Sequence, residues 1–171
     1  MQPLLRKLSG GDRRSIGKSE QVAAEVLANP ELFGALFDGM LHADPLIRMR
    51  AADAAEKIMA QRPDLLRPYK KKLIGKVAKI DQQEVRWHVA LMFPRLTLTS
   101  KERQTVVSIL GGYLKDESRI VKTFAMQALA DIAEQDAGLR PAIVKQLQKS
   151  TRTGSPAMQS RGRKLLAKLQ R

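Results

Sequence analysis

Hydrophobic positions recur with a helical period along most of the chain. Four segments of twelve residues align without gaps: IRMRAADAAEKI from Ile47, VRWHVALMFPRL from Val85, VKTFAMQALADI from Val121 and MQSRGRKLLAKL from Met158. In each, apolar or small residues fall at offsets 0, 4, 8 and 11, which is one stripe of an amphipathic α-helix. The segments start 38, 36 and 37 residues apart, and this near-constant period predicts stacked helical hairpins.

Further helical segments lie between these four, and strand signals are poor throughout. They begin at Pro30, Pro63, Ser100 and Gly138, and one more helix is predicted over about residues 19–28. The pattern therefore predicts an all-α fold, an α-solenoid of about four helical hairpins plus an N-terminal helix. We expect residues 1–18 to form an N-terminal arm and 19–171 a single repeat domain. Pro94 should stop or kink its helix near Phe93, because proline removes a backbone hydrogen bond.

Acidic and basic residues also recur at the repeat period. Asp44 precedes Ile47-Arg48, Asp81 precedes Val85-Arg86, and Asp116 precedes Val121-Lys122. This pattern resembles the HEAT family of helical repeats, in which a turn Asp precedes a Val/Ile-Arg pair that opens the second helix. The resemblance runs from about Pro30 to the C-terminus, although Lys122 is a departure and the last unit has lost the pair. It implies HEAT-like hairpins joined by a ladder of these charged residues, a structural role that we favour over ligand binding. The ladder would comprise Asp44, Arg48, Asp81, Arg86, Asp116 and Lys122.

The glycine-rich arm has two resemblances, and neither implies an activity. Gly10 to Ser15 is similar to the Gly-Gly-Asp-Arg-Arg-Ser start of a group of small bacterial HEAT-repeat proteins. Gly11 to Ser19 looks like a phosphate-binding loop, but five residues rather than four separate its glycines. Asp12 stands where the first glycine of such a loop belongs, and its carboxylate would repel phosphate. We therefore expect an arm that leads into a helix cap at Ser19.

The residues that most catalytic or metal sites require are scarce. The chain has no Cys, and its two histidines, His42 and His88, fall in different repeats. A helical-repeat DNA glycosylase would need several aromatic residues around a carboxylate, whereas Trp87 is the only tryptophan and Asp53 lacks an aromatic cradle. We therefore predict a non-catalytic protein with no metal, no cofactor and no small-molecule substrate.

One row of side chains lies opposite the buried stripe of the second helices. Stepping about 100° per residue places Trp87 and its equivalents on this row. In a HEAT-like stack the second helices line the concave side, so we expect these side chains to face a groove. The predicted groove residues are Met49, Arg50, Trp87, His88, Leu91, Arg161, Lys164 and Lys168. Trp87 could stack on a base, grip a protein side chain, or pack under the N-terminal arm.

Positive charge is concentrated in two stretches of the chain. The net charge is +14, and residues 137–171 hold nine basic and no acidic residues. Residues 67–79 hold six basic residues, again without an acid. Such clusters attract phosphate backbones, attract acidic proteins, or serve only as a solvated face. The leading hypothesis is a scaffold that binds a polyanion such as a nucleic-acid backbone. The alternative is an adaptor that binds an acidic peptide or domain in the groove.

The apolar stretches of the chain also predict where the protein is located. The longest apolar stretches, such as Val89 to Phe93, are far shorter than the roughly 18 residues of a spanning helix. The start of the chain also lacks the apolar run of a secretory signal. We therefore expect a soluble, cytoplasmic monomer whose partner is nucleic acid or an acidic protein, without a membrane partner.

Overall fold

Every regular element of the protein is a helix. The computed structural model describes all residues, Met1–Arg171. The α-helices are α1 (Pro3–Arg6), α2 (Ser19–Ala28), α3 (Phe33–Gly39), α4 (Pro45–Met59), α5 (Lys70–Gly75), α6 (Gln83–Met92), α7 (Ser100–Tyr113), α8 (Arg119–Gln135), α9 (Arg140–Thr153) and α10 (Pro156–Leu169). Short 3₁₀ helices span Pro30–Leu32, Pro63–Tyr69, Val77–Lys79 and Phe93–Arg95. The predicted all-α class is confirmed.

The four aligned segments fall on α4, α6, α8 and α10. These helices begin 38, 36 and 37 residues apart, at the same spacing as the sequence repeat. The predicted stripe is buried: Ile47, Ala51, Ala55 and Ile58 of α4 expose no surface. Removing an isoleucine side chain from water contributes about 1.5–3 kcal/mol, so this stripe is what holds each helix against its neighbours.

The chain divides into two compact units, where the sequence predicted an arm and one domain. The N-terminal unit spans Met1–Thr97 and the C-terminal unit Leu98–Arg171. The start of the predicted arm belongs to the core of the N-terminal unit, because Leu4, Leu5 and Leu8 are buried. Helix α1 packs on α3. This fit depends on Gly39, where an added Cβ would lie 2.7 Å from Leu5 Cδ2.

Helix α4 is the centre of the N-terminal unit. It packs against α2, α3 and α6. Its alanines Ala51, Ala52, Ala54 and Ala55 are all buried, so three neighbours can approach it closely. The helix begins where the sequence signals it, because the carboxylate of Asp44 accepts a hydrogen bond from the Leu46 N–H at 2.9 Å.

Proline sets the ends of two helices in the same unit. Helix α6 ends at Met92 and is followed by the 3₁₀ helix that contains Pro94, which confirms the predicted stop near Phe93. The segment from Pro63 was predicted as one helix. Instead it forms a 3₁₀ helix with Pro68 inside it and then the short α5, because proline cannot donate the backbone hydrogen bond that a continuous helix requires.

The C-terminal unit consists of α7 to α10. Helix α8 packs against α7, α9 and α10, and α9 and α10 also pack against each other. Gly162 permits the close approach of α10 to α9, since an added Cβ would collide with the side chain of Thr151. In neither unit is any helix long and apolar enough to cross a lipid bilayer.

Candidate functional site

Arg50 of α4 is enclosed by the N-terminal arm. Its side chain donates to four main-chain carbonyls: Nη1 to Leu8 at 2.9 Å and to Gly10 at 2.6 Å, Nη2 to Asp12 at 3.1 Å, and Nε to Ser15 at 3.1 Å. Only 2% of Arg50 is exposed. A buried cation must be paired or hydrogen-bonded, and here carbonyl dipoles supply that partner. Arg50 was predicted to face a groove, and in the structure the N-terminal arm covers it and accepts its hydrogen bonds.

The arm can wrap around this guanidinium because of its glycines. Gly10, Gly11 and Gly17 have φ of 77°, 80° and 56°, a region that favours glycine. A Cβ on Gly17 would also lie 2.8 Å from Arg50 Cζ. In a phosphate-binding loop the N–H groups face the anion, whereas here the carbonyls face a cation. The resemblance of this segment to such a loop therefore does not extend to its geometry.

A small pocket lies between the arm and helices α4 and α6 of the N-terminal unit. We call it the arm pocket; its volume is about 270 Å³. It is lined by Arg13, Arg14, Ser15, Ile16, Met49, Arg50, Asp53, Glu84, Trp87 and His88. The structure thus brings together four predicted groove residues, Met49, Arg50, Trp87 and His88. It also adds arm residues that no periodicity of the sequence could have placed there. Leu91, although half-buried on the same helix, does not line this pocket.

Asp53 is the most heavily contacted carboxylate of the arm pocket. It accepts hydrogen bonds from Ser19 Oγ at 2.5 Å and Lys57 Nζ at 2.8 Å. His88 Nε2 lies 3.7 Å from its other oxygen. Ser19 does not cap α2 as predicted, because the helix begins at Ser19 itself, the N-cap position is Lys18, and no side chain makes the capping hydrogen bond. The hydroxyl of Ser19 instead donates to the carboxylate of Asp53.

The same cluster shifts the pKa of two side chains. Burial lowers the pKa of His88, and the nearby charges of Asp53 and Glu56 only partly oppose this effect. Burial would also lower the pKa of Lys57, but its hydrogen bond to Asp53 and the charges of Asp53 and Glu20 outweigh burial and raise it. The imidazole of His88 is therefore favoured in its neutral form, and its Nδ1 is buried without a hydrogen-bond partner.

The first rung of the predicted ladder differs from the expected ion pair. Asp44 caps α4, and Arg48 donates to the carbonyls of His42 and Ala43 at 2.8 and 2.9 Å. The link to the next hairpin is Gln82: it accepts from Arg48 Nε at 2.8 Å and donates to the Pro45 carbonyl at 2.8 Å. Sequence reasoning missed Gln82, because the pattern drew attention to the neighbouring Asp81.

The other ladder residues are arranged in different ways. Arg86 lies 3.2 Å from the carboxylate of Asp81 and donates to the Ile80 carbonyl at 3.1 Å, so this pair forms. Asp81 is 95% exposed, which makes the pair a weak contributor to stability. In the C-terminal unit Asp116 accepts from the Ser118 N–H at 2.8 Å. Lys122 makes no ion pair.

Three basic residues that were predicted to line the groove, Arg161, Lys164 and Lys168, lie together in the C-terminal unit. They line an open depression of about 590 Å³, the cationic trough, which is formed by Gln127, Ala157, Ser160, Arg161, Lys164, Leu165 and Lys168. Arg161 donates to Gln127 Oε1 at 2.8 Å, and Lys168 lies 3.0 Å from Glu134. Lys164 is exposed and has no acidic partner. The trough can therefore offer positive charge and hydrogen-bond donors to a ligand.

The structure brings together no group of three or more His, Asp or Glu side chains that could hold a metal ion. Comparison with protein-family models, with curated proteins and with solved structures found no significant match. What indicates a function is the geometry and charge of the arm pocket and the cationic trough.

Proposed function

We propose that the protein is a non-catalytic scaffold that binds a polyanion, such as a nucleic-acid backbone, through the basic side chains of its C-terminal unit. One observation carries the proposal. Residues 137–171 contain nine basic and no acidic residues, and of the nine only Lys168 forms an ion pair. Charges that the fold does not neutralise remain available to a ligand.

The physical reason lies in the electrostatics of a phosphate chain. Each cation that contacts a phosphate releases condensed counterions, and this release drives binding at low salt. The cationic trough is an open depression rather than an enclosed pocket, which suits a long backbone better than a small molecule. The hydroxyl of Ser160 in its lining can donate to phosphate oxygens alongside Arg161 and Lys164.

We also propose that the repeated hairpins form a HEAT-like α-solenoid. The support is the constant spacing of α4, α6, α8 and α10 and the burial of the stripe, which is complete in the first three segments and lacks only the half-buried Leu166 in the last. Helical repeats of this period present side chains at regular intervals, which matches a ligand with a repeating charge. The loss of the acidic and basic pair in the last repeat fits a terminal unit, which has a neighbour on one side only.

An acidic protein would meet the same cations, but one observation argues against the predicted peptide groove. On the N-terminal unit the arm occupies the face of Arg50 where such a peptide was expected. A peptide would have to displace hydrogen bonds that the arm already satisfies. Polyanion binding by the C-terminal unit requires no such displacement.

A charge-matched pair of variants tests the proposal. The first replaces Arg161, Lys164 and Lys168 by Gln; the control replaces Lys71, Lys76 and Lys79, which are exposed and make no ion pair, by Gln. Both remove three positive charges. Fluorescence anisotropy at roughly 50 mM salt should show the trough variant binding a short DNA duplex about tenfold or more weakly than wild type, with the control little changed.

Three results would contradict the proposal. Failure of wild type to bind duplex or single-stranded DNA or RNA at low salt would end the polyanion function. An equal loss in both variants would show that net charge, and not the cationic trough, attracts the ligand. Tighter binding to polyglutamate than to nucleic acid of the same charge would favour the acidic-protein adaptor.

A further inference from the structure

The arm pocket contains an aromatic wall beside unneutralised cations, and the proposed polyanion contacts do not use it. We propose that this pocket binds one unpaired nucleobase of a single-stranded nucleic acid, stacked on Trp87, while Arg13 and Arg14 contact the adjacent phosphates. The inference rests on the proposed function and deepens it, since it names single strands as the preferred ligand.

The apolar walls of the pocket suit a flat ring. Trp87 is partly exposed, Met49 is buried beside it, and Ile16 on the arm exposes 44% of its surface. All three line the same cavity. Its volume of about 270 Å³ lies at or below the roughly 300–1,000 Å³ of ordinary ligand pockets. The space therefore fits a single base rather than a whole nucleotide, and the sugar and phosphates would stay outside.

The rim of the pocket carries the charge for those phosphates. Arg13 and Arg14 are exposed, line the cavity and form no ion pair. The acid nearest to them in sequence, Asp12, is engaged locally, because its carboxylate accepts the Arg14 N–H at 2.7 Å. Asp53 in the pocket is countered by Lys57 at 2.8 Å. Two guanidinium groups thus remain for phosphate oxygens, which they bind in a bidentate fashion.

One polar group in the pocket has no partner in the protein: Glu84 lines the cavity without an ion pair. A carboxylate accepts hydrogen bonds from the exocyclic amine of cytosine, which thymine lacks. Glu84 therefore favours a base that carries an amine.

Arg50 acts as a positioning residue for this site. Its four hydrogen bonds fix the backbone of the arm from Leu8 to Ser15. The backbone that carries Arg13 and Arg14 is consequently held at the rim of the pocket before any ligand arrives. Pre-organisation of the backbone lowers the entropy cost of binding.

Trp87 is the only tryptophan, so its fluorescence reports on this pocket alone. The test titrates wild type at low salt with three single-stranded DNA octamers: oligocytidylate, oligothymidylate and an abasic octamer of the same charge. Binding is followed by anisotropy and stacking by quenching of tryptophan emission. Oligocytidylate should quench most, oligothymidylate less, and the abasic strand should bind without quenching. Trp87→Ala should weaken oligocytidylate binding roughly tenfold, and Trp87→Phe much less.

The outcomes separate this inference from the proposed function. Binding of all three octamers without any quenching would overturn the base pocket and leave polyanion binding intact. Binding of none of the octamers would overturn the base pocket, and the proposed function would fall with it if a DNA duplex did not bind either. Equal quenching by cytosine and thymine octamers would overturn the role assigned to Glu84. The Gln variant of the cationic trough should keep the order in which the three octamers quench tryptophan emission, and a changed order would contradict the separate role of the arm pocket.

Discussion

The guanidinium of Arg50 is buried without a carboxylate partner, and main-chain carbonyls of the arm satisfy it instead. The donors of a guanidinium form a fixed planar fork, so a ring of carbonyls can surround it only if the chain turns sharply. Gly10, Gly11 and Gly17 make those turns with positive φ. The conformation of the arm thus depends on one side chain from α4 and on three residues without side chains.

Gly17→Ala tests this dependence. Alanine would be strained at φ 56°, and its Cβ would approach Arg50 Cζ to 2.8 Å. We expect a loss of about 1–2 kcal/mol in the free energy of unfolding, measured by urea denaturation, together with faster amide exchange in the arm. Gly75→Ala is the control, because nothing lies within 4 Å of its added Cβ. A loss no larger than that of the control would contradict the account of the arm.

His88 makes stability depend on pH near neutrality. Its pKa is lowered by burial, so below about pH 6.5 the unfolded chain takes up a proton that the native protein resists. Stability is therefore fully present above that pH and falls as the pH decreases. Carboxylates such as Asp136, whose pKa is lowered by its hydrogen bond from Arg103, lose their contribution only at more acidic pH.

The measurement is urea unfolding of wild type and His88→Gln between about pH 7.5 and 5.5. Glutamine cannot titrate, so the variant should lose less stability than wild type over this range. Parallel loss in the two proteins would show that His88 is not the group responsible.

Helices were the most predictable elements, because their signals are local. The stripe at offsets 0, 4, 8 and 11 identified α4, α6, α8 and α10, and Pro94 marked the end of α6. The segment from Pro63 was less predictable: its apolar spacing favours a helix, and only Pro68 indicated a break. Helix α1 escaped prediction because four residues are too few to show a period. Its leucines are ordered by burial rather than by helical propensity.

The start of α7 offers a test at the scale of one element. Thr99 and Glu102 form a capping box, in which each side chain accepts a hydrogen bond from the backbone of the other at 3.2 and 2.8 Å. Thr99→Ala should lower the free energy of unfolding of the C-terminal unit by about 1 kcal/mol. Thr105→Ala, inside the same helix and exposed, should have a smaller effect or none. Equal effects in urea denaturation would mean that the cap contributes nothing particular.

The candidate site was less predictable than the helices, because its contacts are distant in sequence. The rows of the repeat predicted one groove for these side chains, whereas in the structure Trp87 and His88 line the arm pocket and Arg161, Lys164 and Lys168 line the cationic trough. They could not show that Arg50 is held by residues 35 to 42 positions earlier, or that Ser19 donates to Asp53. The sequence of the glycine-rich arm does not indicate which arginine its carbonyls will bind. That contact depends on how the arm packs against α4 in the folded protein.

At the scale of the whole molecule, charge is the property that most constrains function. The net charge of +14 is uneven along the chain, and the stretch without acids, residues 137–171, supplies the cations of the cationic trough. An excess of this size keeps a protein soluble even without a ligand. A binding surface differs from a solvated face in one respect: when its cations contact the phosphates of a nucleic acid, counterions condensed on that nucleic acid are released.

The dependence of duplex affinity on salt measures that release directly. The logarithm of the association constant, determined by anisotropy across a salt series, should fall linearly with the logarithm of salt concentration, with a slope of several units. Replacing Arg161, Lys164 and Lys168 by Gln should make the slope shallower by about 2–3 units, at roughly 0.9 per lost phosphate contact. Replacing Lys71, Lys76 and Lys79 should leave it nearly unchanged. A salt-independent affinity, or a slope that the trough substitutions do not alter, would contradict the proposed function.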